Sequence, residues 1–148
     1  MPVLVPPVQT ALWAAAQHVV ARVLLERRRP SRLQKGLAVA ALAAGGASAS
    51  GASSRFRQRG TTFHPWAPER STALVVDGPN AVSRNPMYVG MALVLVGSGL
   101  LSGRPATCLA AVGLMTTLTP QIRREEAALA PLFGDDWTAY AQRVRRWI

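Results

Sequence analysis

Residues that could do chemistry collect in two short polar stretches, each of which adjoins an apolar segment. The first is "VSRNPMYVG", residues 82–90, which places Arg84, Asn85 and Tyr88 around a proline. Pro86 suits the first turn of a helix, because the N–H that it lacks would be unpaired there anyway. Asn85 can cap that helix, whose free N–H groups and positive potential favour an anionic group such as a carboxylate. A plain helix cap is the simpler interpretation of Asn85 and Pro86 taken alone.

The second stretch is "RREE", residues 123–126, at the end of another apolar segment. Neighbouring residues on a helix point about 100° apart, so one glutamate can face inward while the other meets solvent or an arginine. An inward carboxylate suits the ammonium or the ribose hydroxyls of a ligand. Together the two stretches would hold a zwitterion. The alternative is a solvated run of charges at the end of a helix.

The composition indicates a membrane protein. The 148 residues are 49% hydrophobic and 16% charged, yet the net charge is +10; soluble proteins average about 25% charged residues. A basic net charge can indicate a protein that binds nucleic acid. Here, however, the arginines lie between long apolar runs, as they do in proteins that contact anionic lipid headgroups. We therefore expect one multi-pass membrane domain over residues 1–148, contacts with membrane lipids, and no nucleic-acid partner.

Cysteine and histidine do not indicate a metal site or a disulfide. Cys108 is the single cysteine and lies within an apolar run, which favours a small packing residue over a reactive thiol. His18 and His64 are far apart in the sequence and stand alone. The N-terminus lacks the positive region of a cleaved signal, so we expect the first apolar run to be retained.

The apolar segments predict an all-α integral membrane bundle of about four transmembrane helices. They cover residues 3–25, 36–54, 86–102 and 106–122. The second segment is rich in Ala, Gly and Ser, whose small side chains permit a neighbouring helix or a ligand to approach closely. The turn signal "SGRP" separates the last two, which we interpret as a helical hairpin. A hairpin brings residues 82–90 and 123–126 to the same membrane face.

Two other segments complete the chain. Residues 55–85 form a connector rich in Pro, Gly and Arg, expected on the cytoplasmic side although the distribution of arginines favours this only weakly; connectors of such length are usually functional. In residues 123–148, Asp135 or Asp136 can cap a final helix. Its Trp137, Tyr140, Val144 and Trp147 recur near helical spacing. The pattern predicts a helix in the membrane interface, with aromatics among the headgroups and arginines on lipid phosphate. The alternative is an amphipathic helix packed on protein.

Three stretches together resemble a known group of enzymes. In order and spacing, "RGTTFHPW", "TALVVDGPNAVSRNPMYVG" and "EEAALAPLFGDDWTAYAQRVRRWI" are similar to the integral-membrane methyltransferases of the isoprenylcysteine carboxyl methyltransferase and phospholipid methyltransferase superfamily. The similarity runs from about Arg57 to the C-terminus. It implies that S-adenosylmethionine is the cofactor and binds between the connector, the start of the third segment and the C-terminal helix. It also implies a lipophilic small-molecule or lipid substrate.

The resemblance assigns roles to residues of both stretches and of the connector. The cofactor-binding residues that it implies are Thr72, Leu74, Val75, Asn85, Pro86, Met87, Tyr88, Glu125 and Glu126. The candidate catalytic residues are Arg84, Tyr88 and Arg124. The family has an arginine just before its Glu pair, whereas this chain has Gln121 at the position of the eukaryotic arginine and offers Arg123 and Arg124 at a different offset. An aromatic residue is common where this chain has Asn80.

The reaction implied is methyl transfer to a prenylcysteine-like carboxylate or another small lipophilic acceptor. Such a displacement needs alignment and exclusion of water more than a strong acid. A carboxylate is already ionised, whereas an amine or a thiol would first have to lose a proton. Three alternatives stay open: a phospholipid amine N-methyltransferase, a nicotinamide-dependent protein similar to sterol reductases, and a non-catalytic membrane protein. The Ala/Gly run at residues 41–47, in place of a Gly-x-Gly, counts against the phospholipid branch.

Overall fold

Four α-helices form the framework of the chain, of which the computed structural model describes residues 4–24, 26, 29–61 and 68–148. The helices are α1 (Pro6–Leu24), α2 (Arg32–Gln58), α3 (Pro86–Leu101) and α4 (Leu109–Arg143). Short 3₁₀ helices lie at Pro68–Arg70, Gly78–Ala81 and Pro105–Cys108. Within these described ranges there is no strand, which confirms the all-α prediction. His64 and most of the "RGTTFHPW" stretch lie outside the described residues.

Helix α2 begins earlier and ends later than the predicted segment 36–54. A capping box starts it: Ser31 Oγ accepts from the Gln34 N–H at 3.1 Å, and Gln34 Oε1 accepts from the Ser31 N–H at 2.9 Å. The helix then continues to Gln58, so the first residues of the predicted connector are helical. Among the residues that the structure describes, α2 alone is long and apolar enough to cross a membrane, while α3 is apolar but has 16 residues. One candidate span therefore stands where about four were predicted.

Small side chains let α2 and α3 pack backbone against backbone. A Cβ atom added to Gly45 would lie 2.8 Å from the carbonyl oxygen of Gly90, and one added to Gly90 would lie 2.6 Å from that of Gly45. Further along, a Cβ at Gly97 would approach the Ala38 carbonyl oxygen to 3.0 Å. The prediction that the Ala/Gly/Ser segment permits close approach is confirmed, and its neighbour is α3.

The main core lies between α3, α4 and α1. Its most deeply buried side chains are those of Leu95, Leu114, Leu118 and Ile122. Helix α1 joins through a polar contact, because Gln17 Nε2 donates to the Leu95 carbonyl at 3.1 Å and to Ser98 Oγ at 2.9 Å. The predicted hairpin is present, with α3 and α4 connected by residues 102–108.

The C-terminal part of α4 packs on protein. Gly134 interrupts the helix with φ 50° and ψ −120°, a left-handed conformation that glycine adopts without steric cost. The last helical part therefore begins next to Asp135, as predicted. However, Trp137, Tyr140 and Val144 are buried at 9%, 3% and 4% exposure in a second cluster of side chains. The prediction that these aromatics lie among lipid headgroups is wrong, since the helix packs its apolar face on the protein instead.

Candidate functional site

An open cleft lies at the polar ends of the α3–α4 hairpin. Its volume is about 800 Å³, including the solvent at its mouth. The walls come from the end of α2, the connector from Ser71 to Asn80, the start of α3, and both parts of α4. All predicted cofactor-binding residues except one line it: Leu74, Val75, Asn85, Pro86, Met87, Tyr88, Glu125 and Glu126. The two polar stretches therefore meet around one space.

Two predicted residues stand apart from the cleft. Thr72 is exposed and turned to the end of α2, where its N–H donates to Thr61 Oγ1 at 2.9 Å and its hydroxyl to the Gly60 carbonyl at 3.4 Å. Its neighbours Ser71 and Ala73 line the cleft instead. Arg124 is exposed and does not line the cleft, so it has no place among the cleft's candidate catalytic groups.

A hydrogen-bonded trio joins the two helices at the base of the cleft. Tyr88 Oη donates to Glu125 Oε1 at 2.9 Å, and Gln121 Nε2 donates to the same oxygen at 2.9 Å. Burial raises the pKa of Glu125, and these two hydrogen bonds oppose that rise. Within the described parts of the chain, no donor reaches Glu125 Oε2. The carboxylate thus has one oxygen held in place and one available to a ligand.

The second glutamate is fully engaged by arginines. Arg84 Nη2 lies 2.8 Å from Glu126 Oε1, and Arg146 Nη2 lies 2.6 Å from Glu126 Oε2. Burial alone would raise the pKa of Glu126, but the hydrogen bonds from Arg146 and Arg84 outweigh it and lower that pKa. We call Arg84, Glu126 and Arg146 the clamp. Both glutamates line the cleft, but their partners differ as predicted: Glu125 belongs to the trio, and Glu126 meets arginines.

Arg84 also holds the end of the chain. Its Nη1 donates to the carbonyls of Ala141 at 2.9 Å and Val144 at 2.7 Å, which are among the carbonyls that a helix end leaves without intrahelical partners. Its guanidinium carbon lies 6.0 Å from the ring centroid of Trp137. Since the side chain is used in this way, the structure assigns Arg84 to positioning the C-terminal segment. Arg146, predicted to meet lipid phosphate, instead faces inward within the clamp.

Asn85 occupies the cap position of α3 but does not cap it with its side chain. Its Nδ2 donates to the Arg146 carbonyl at 3.0 Å, and no side-chain hydrogen bond caps the helix. The predicted side-chain cap is wrong, and the Asn85 side chain is bonded through its amide nitrogen to the C-terminal segment. The consequence is chemical, since the first-turn N–H groups of α3 keep their positive potential at the edge of the cleft.

Several lining residues were not identified from the sequence as site residues. Phe133, Trp137 and Tyr140 form part of the wall, with Trp137 and Tyr140 in edge-to-face contact at 5.9 Å between centroids. For Trp137 and Tyr140 the helical spacing is the available signal, and from the sequence alone it is interpreted as contact with lipid headgroups; Phe133 is not part of that pattern. Asn80 also lines the cleft at 3% exposure, and its backbone carbonyl accepts from Tyr140 Oη at 2.8 Å.

The described residues form a small helical protein with an open cleft between a connector and the polar ends of a helical hairpin. A model of the phospholipid methyltransferase family matches residues 33–136. This match covers more than half of the chain, which therefore belongs to that family. The match includes residues 41–47, where the chain has no Gly-x-Gly. The absence of that motif counts against the phospholipid branch in the sequence analysis. It does not exclude the chain from the phospholipid methyltransferase family.

Two known proteins are similar in sequence to this chain. The protein-S-isoprenylcysteine O-methyltransferase of Schizosaccharomyces pombe is 35% identical over 96 residues, which are 62% of this chain and 41% of the yeast protein. This chain thus spans less than half the length of that relative. An uncharacterized protein of Haemophilus influenzae is 35% identical over 63 residues, which are 42% of this chain and 100% of that protein. No solved structure matches the chain.

Proposed function

We propose that this protein is an S-adenosylmethionine-dependent membrane methyltransferase that methylates a lipophilic carboxylate. One observation carries the proposal: the amide-bearing start of α3 and the carboxylate of Glu125 line the same cleft, tied by the Tyr88 hydroxyl at 2.9 Å. Membership of the phospholipid methyltransferase family and the similarity to the yeast O-methyltransferase support the reaction class.

The cleft residues fit the chemical groups of S-adenosylmethionine. Glu125 suits the ammonium or the ribose hydroxyls, and the uncapped first turn of α3 suits the carboxylate. Leu74, Val75 and Met87 provide apolar surface for the rest. When bound, this cofactor supplies a methyl group on a positively charged sulfur.

The residues of the chain would act by orientation and by exclusion of water. The trio fixes the Glu125 carboxylate, and the clamp holds the C-terminal segment against the cleft, where Trp137 and Tyr140 form an apolar wall. Transfer between aligned groups in a water-poor site gains most of its rate from positioning. A carboxylate acceptor needs no base. This favours it, because no histidine is among the cleft's described lining residues and Glu126 is paired with two arginines.

Exposed apolar side chains on α1 and α2 support the membrane location and the lipophilic acceptor. Helix α2 has the length and hydropathy of a span, and Leu37 and Val39 on it are 51% and 62% exposed. Val23 on α1 is 72% exposed. Apolar side chains that point outward in this number suit lipid as the solvent. A multi-pass topology, with α1 and the hairpin also within the bilayer, is part of the proposal.

Two measurements test this function. Calorimetry on the protein in detergent should detect binding of S-adenosylmethionine, with NADPH as the comparison that represents the reductase alternative. Tritiated methyl transfer should then be followed to a prenylated cysteine analogue and to phosphatidylethanolamine. Alkali releases methanol from a methyl ester but not from a methylated amine, so it separates the two products. Binding of NADPH alone would overturn the proposal.

A phospholipid amine is the second candidate acceptor, favoured by the family whose model matches the chain. Alkali-stable label in phosphatidylethanolamine, with none in the cysteine analogue, would establish it. In that case Glu125 is the candidate to take the proton of the ammonium, because it lines the cleft and Glu126, the other lining carboxylate, is paired with two arginines.

A further inference from the structure

Asn80 is an unusual residue in the wall of the cleft, because its amide is buried without being satisfied. The residue is 3% exposed, and within the described ranges its Oδ1 has no hydrogen-bond partner. A buried carbonyl oxygen that lacks a donor destabilises the folded protein, which makes such groups rare. Asn80 is nevertheless one of the residues that line the cleft, so a ligand bound there is the candidate partner for Oδ1.

The surroundings of Asn80 indicate what kind of ligand group would complete it. The residue lies beside Tyr140, whose hydroxyl donates to its backbone carbonyl at 2.8 Å, and both line the cleft with the buried Val75 and with Trp137. Among the described residues, no carboxylate is hydrogen-bonded to the Asn80 side chain. The nearby Glu126 is already paired with two arginines, so it offers little counter-charge to a cationic donor at this position, and a neutral N–H donor fits better.

We propose that Asn80 Oδ1 accepts a hydrogen bond from the amino group of the cofactor's adenine and thereby selects adenine among purines. Adenine offers a flat apolar face for the aromatic wall and a neutral amino group on its edge. A carboxamide is a well-matched partner for that edge, as asparagine is for adenine in nucleic acids. The inference rests on the proposed function, since it names the contact of one residue with the proposed cofactor.

The test compares two product analogues that differ only at this position. S-adenosylhomocysteine has the amino group, whereas the corresponding compound with an unsubstituted purine base has a hydrogen atom there and cannot donate to Asn80. Calorimetry on the full chain in detergent should show that the wild type prefers the adenosyl compound by about tenfold, the size expected for one buried hydrogen bond. Asn80→Leu, which has the same branched arrangement of four side-chain atoms but cannot form hydrogen bonds, should bind both compounds with equal affinity. Asn80→Ala repeats the test with a smaller side chain.

A matched control exists in α1. Gln17 is also a buried amide with an unpartnered oxygen, at 4% exposure, but it contacts Leu95 and Ser98 and does not line the cleft. Gln17→Leu should lower the thermal unfolding temperature and leave the preference for the adenosyl compound intact. Asn80→Leu should abolish the preference and should not lower the thermal unfolding temperature, because it removes an unsatisfied group from the unliganded protein.

Four results would overturn the inference. A wild type that binds both analogues equally, or an Asn80→Leu variant that keeps the preference, would exclude the adenine contact while the proposed function stands. An Asn80→Leu variant that changes only the KM of the methyl acceptor would place Asn80 in the acceptor's site. A wild type that binds neither analogue would overturn the proposed cofactor itself, and the inference with it.

Discussion

Tyr88 and Glu125 join the first turn of α3 to α4 through a hydrogen bond of 2.9 Å at the base of the cleft. The two residues are separated by most of the hairpin in sequence, so their contact depends on the hairpin closing in register. Gln121, one turn before Glu125, adds a second donor to the same carboxylate oxygen at 2.9 Å. The trio thus fixes a negative group beside the positive start of a helix, the arrangement that a zwitterionic ligand requires.

Glu125→Gln should weaken binding of S-adenosylmethionine by about tenfold to a hundredfold, since hydrogen bonds that involve a charged partner contribute about 1.5–3 kcal/mol. Glutamine has nearly the same volume as glutamate and can still accept a hydrogen bond from Tyr88. The loss of affinity therefore measures the effect of removing the negative charge. Calorimetry in detergent measures it. Asp135→Asn is the control, because Asp135 is an exposed acid of the same helix and does not line the cleft. An unchanged affinity in Glu125→Gln would remove this residue from the cofactor site.

The pH dependence of binding should follow the ionisation of Glu125. Burial raises the pKa of this carboxyl above its ordinary value, so part of the population is neutral in mild acid. A cationic ligand favours the ionised form, and its affinity should therefore rise with pH as Glu125 loses its proton. The measurement is a series of calorimetric titrations from mild acid to neutrality. Glu125→Gln should give a flat profile, and a wild-type profile equally flat would contradict the assignment.

The sequence predicts those features of the site that depend on residues close together in the chain. Pro86 predicts the start of α3 because its ring satisfies a first-turn position, and α3 does begin there. The two adjacent glutamates predict a division of roles because a helix turns by about 100° per residue. The small residues of α2 predict close packing, although not which helix would be the neighbour.

Two of the features that the sequence did not predict depend on where the C-terminal segment docks. Asn85 loses its capping role because its amide meets the Arg146 carbonyl, which is distant in sequence. Trp137 and Tyr140 have the spacing of an interfacial helix, and the same spacing serves equally well to bury them on protein. Periodicity identifies the apolar face of a helix but not the surface that covers it.

Arg84→Ala should destabilise the protein by about 3 kcal/mol, because it leaves the partly buried Glu126 with one arginine and frees two helix-end carbonyls. The C-terminal segment should also become more susceptible to limited proteolysis. Thermal unfolding in detergent and mass spectrometry of the fragments measure the two effects. Arg124→Ala is the control, since Arg124 is exposed and close by in sequence. Equal stability of the two variants would show that the clamp does not hold the segment.

Alanine substitutions at Gly45 and Gly46 test the α2–α3 contact. We expect the two substitutions, although adjacent, to change the stability of the protein in opposite directions. Gly45→Ala places a Cβ 2.8 Å from the Gly90 carbonyl oxygen, a backbone atom that cannot move without the helix, so we expect a loss of about 1–3 kcal/mol. Gly46→Ala meets nothing within 4 Å, and alanine should stabilise this helix by about 0.5–1 kcal/mol. Thermal unfolding of both variants in detergent measures the difference.

The same pair of variants connects packing to the cleft. Ser48 Oγ donates to the Pro86 carbonyl at 2.8 Å, so α2 also holds the first turn of α3, where the ligand's carboxylate is proposed to bind. Separation of the helices by Gly45→Ala should therefore lower the affinity for S-adenosylmethionine as well as the stability, whereas Gly46→Ala should leave the affinity unchanged. If Gly45→Ala lowered stability alone, α2 would support the fold without positioning the site. If both variants behaved alike, the contact between the two glycines would not form in the membrane-extracted protein.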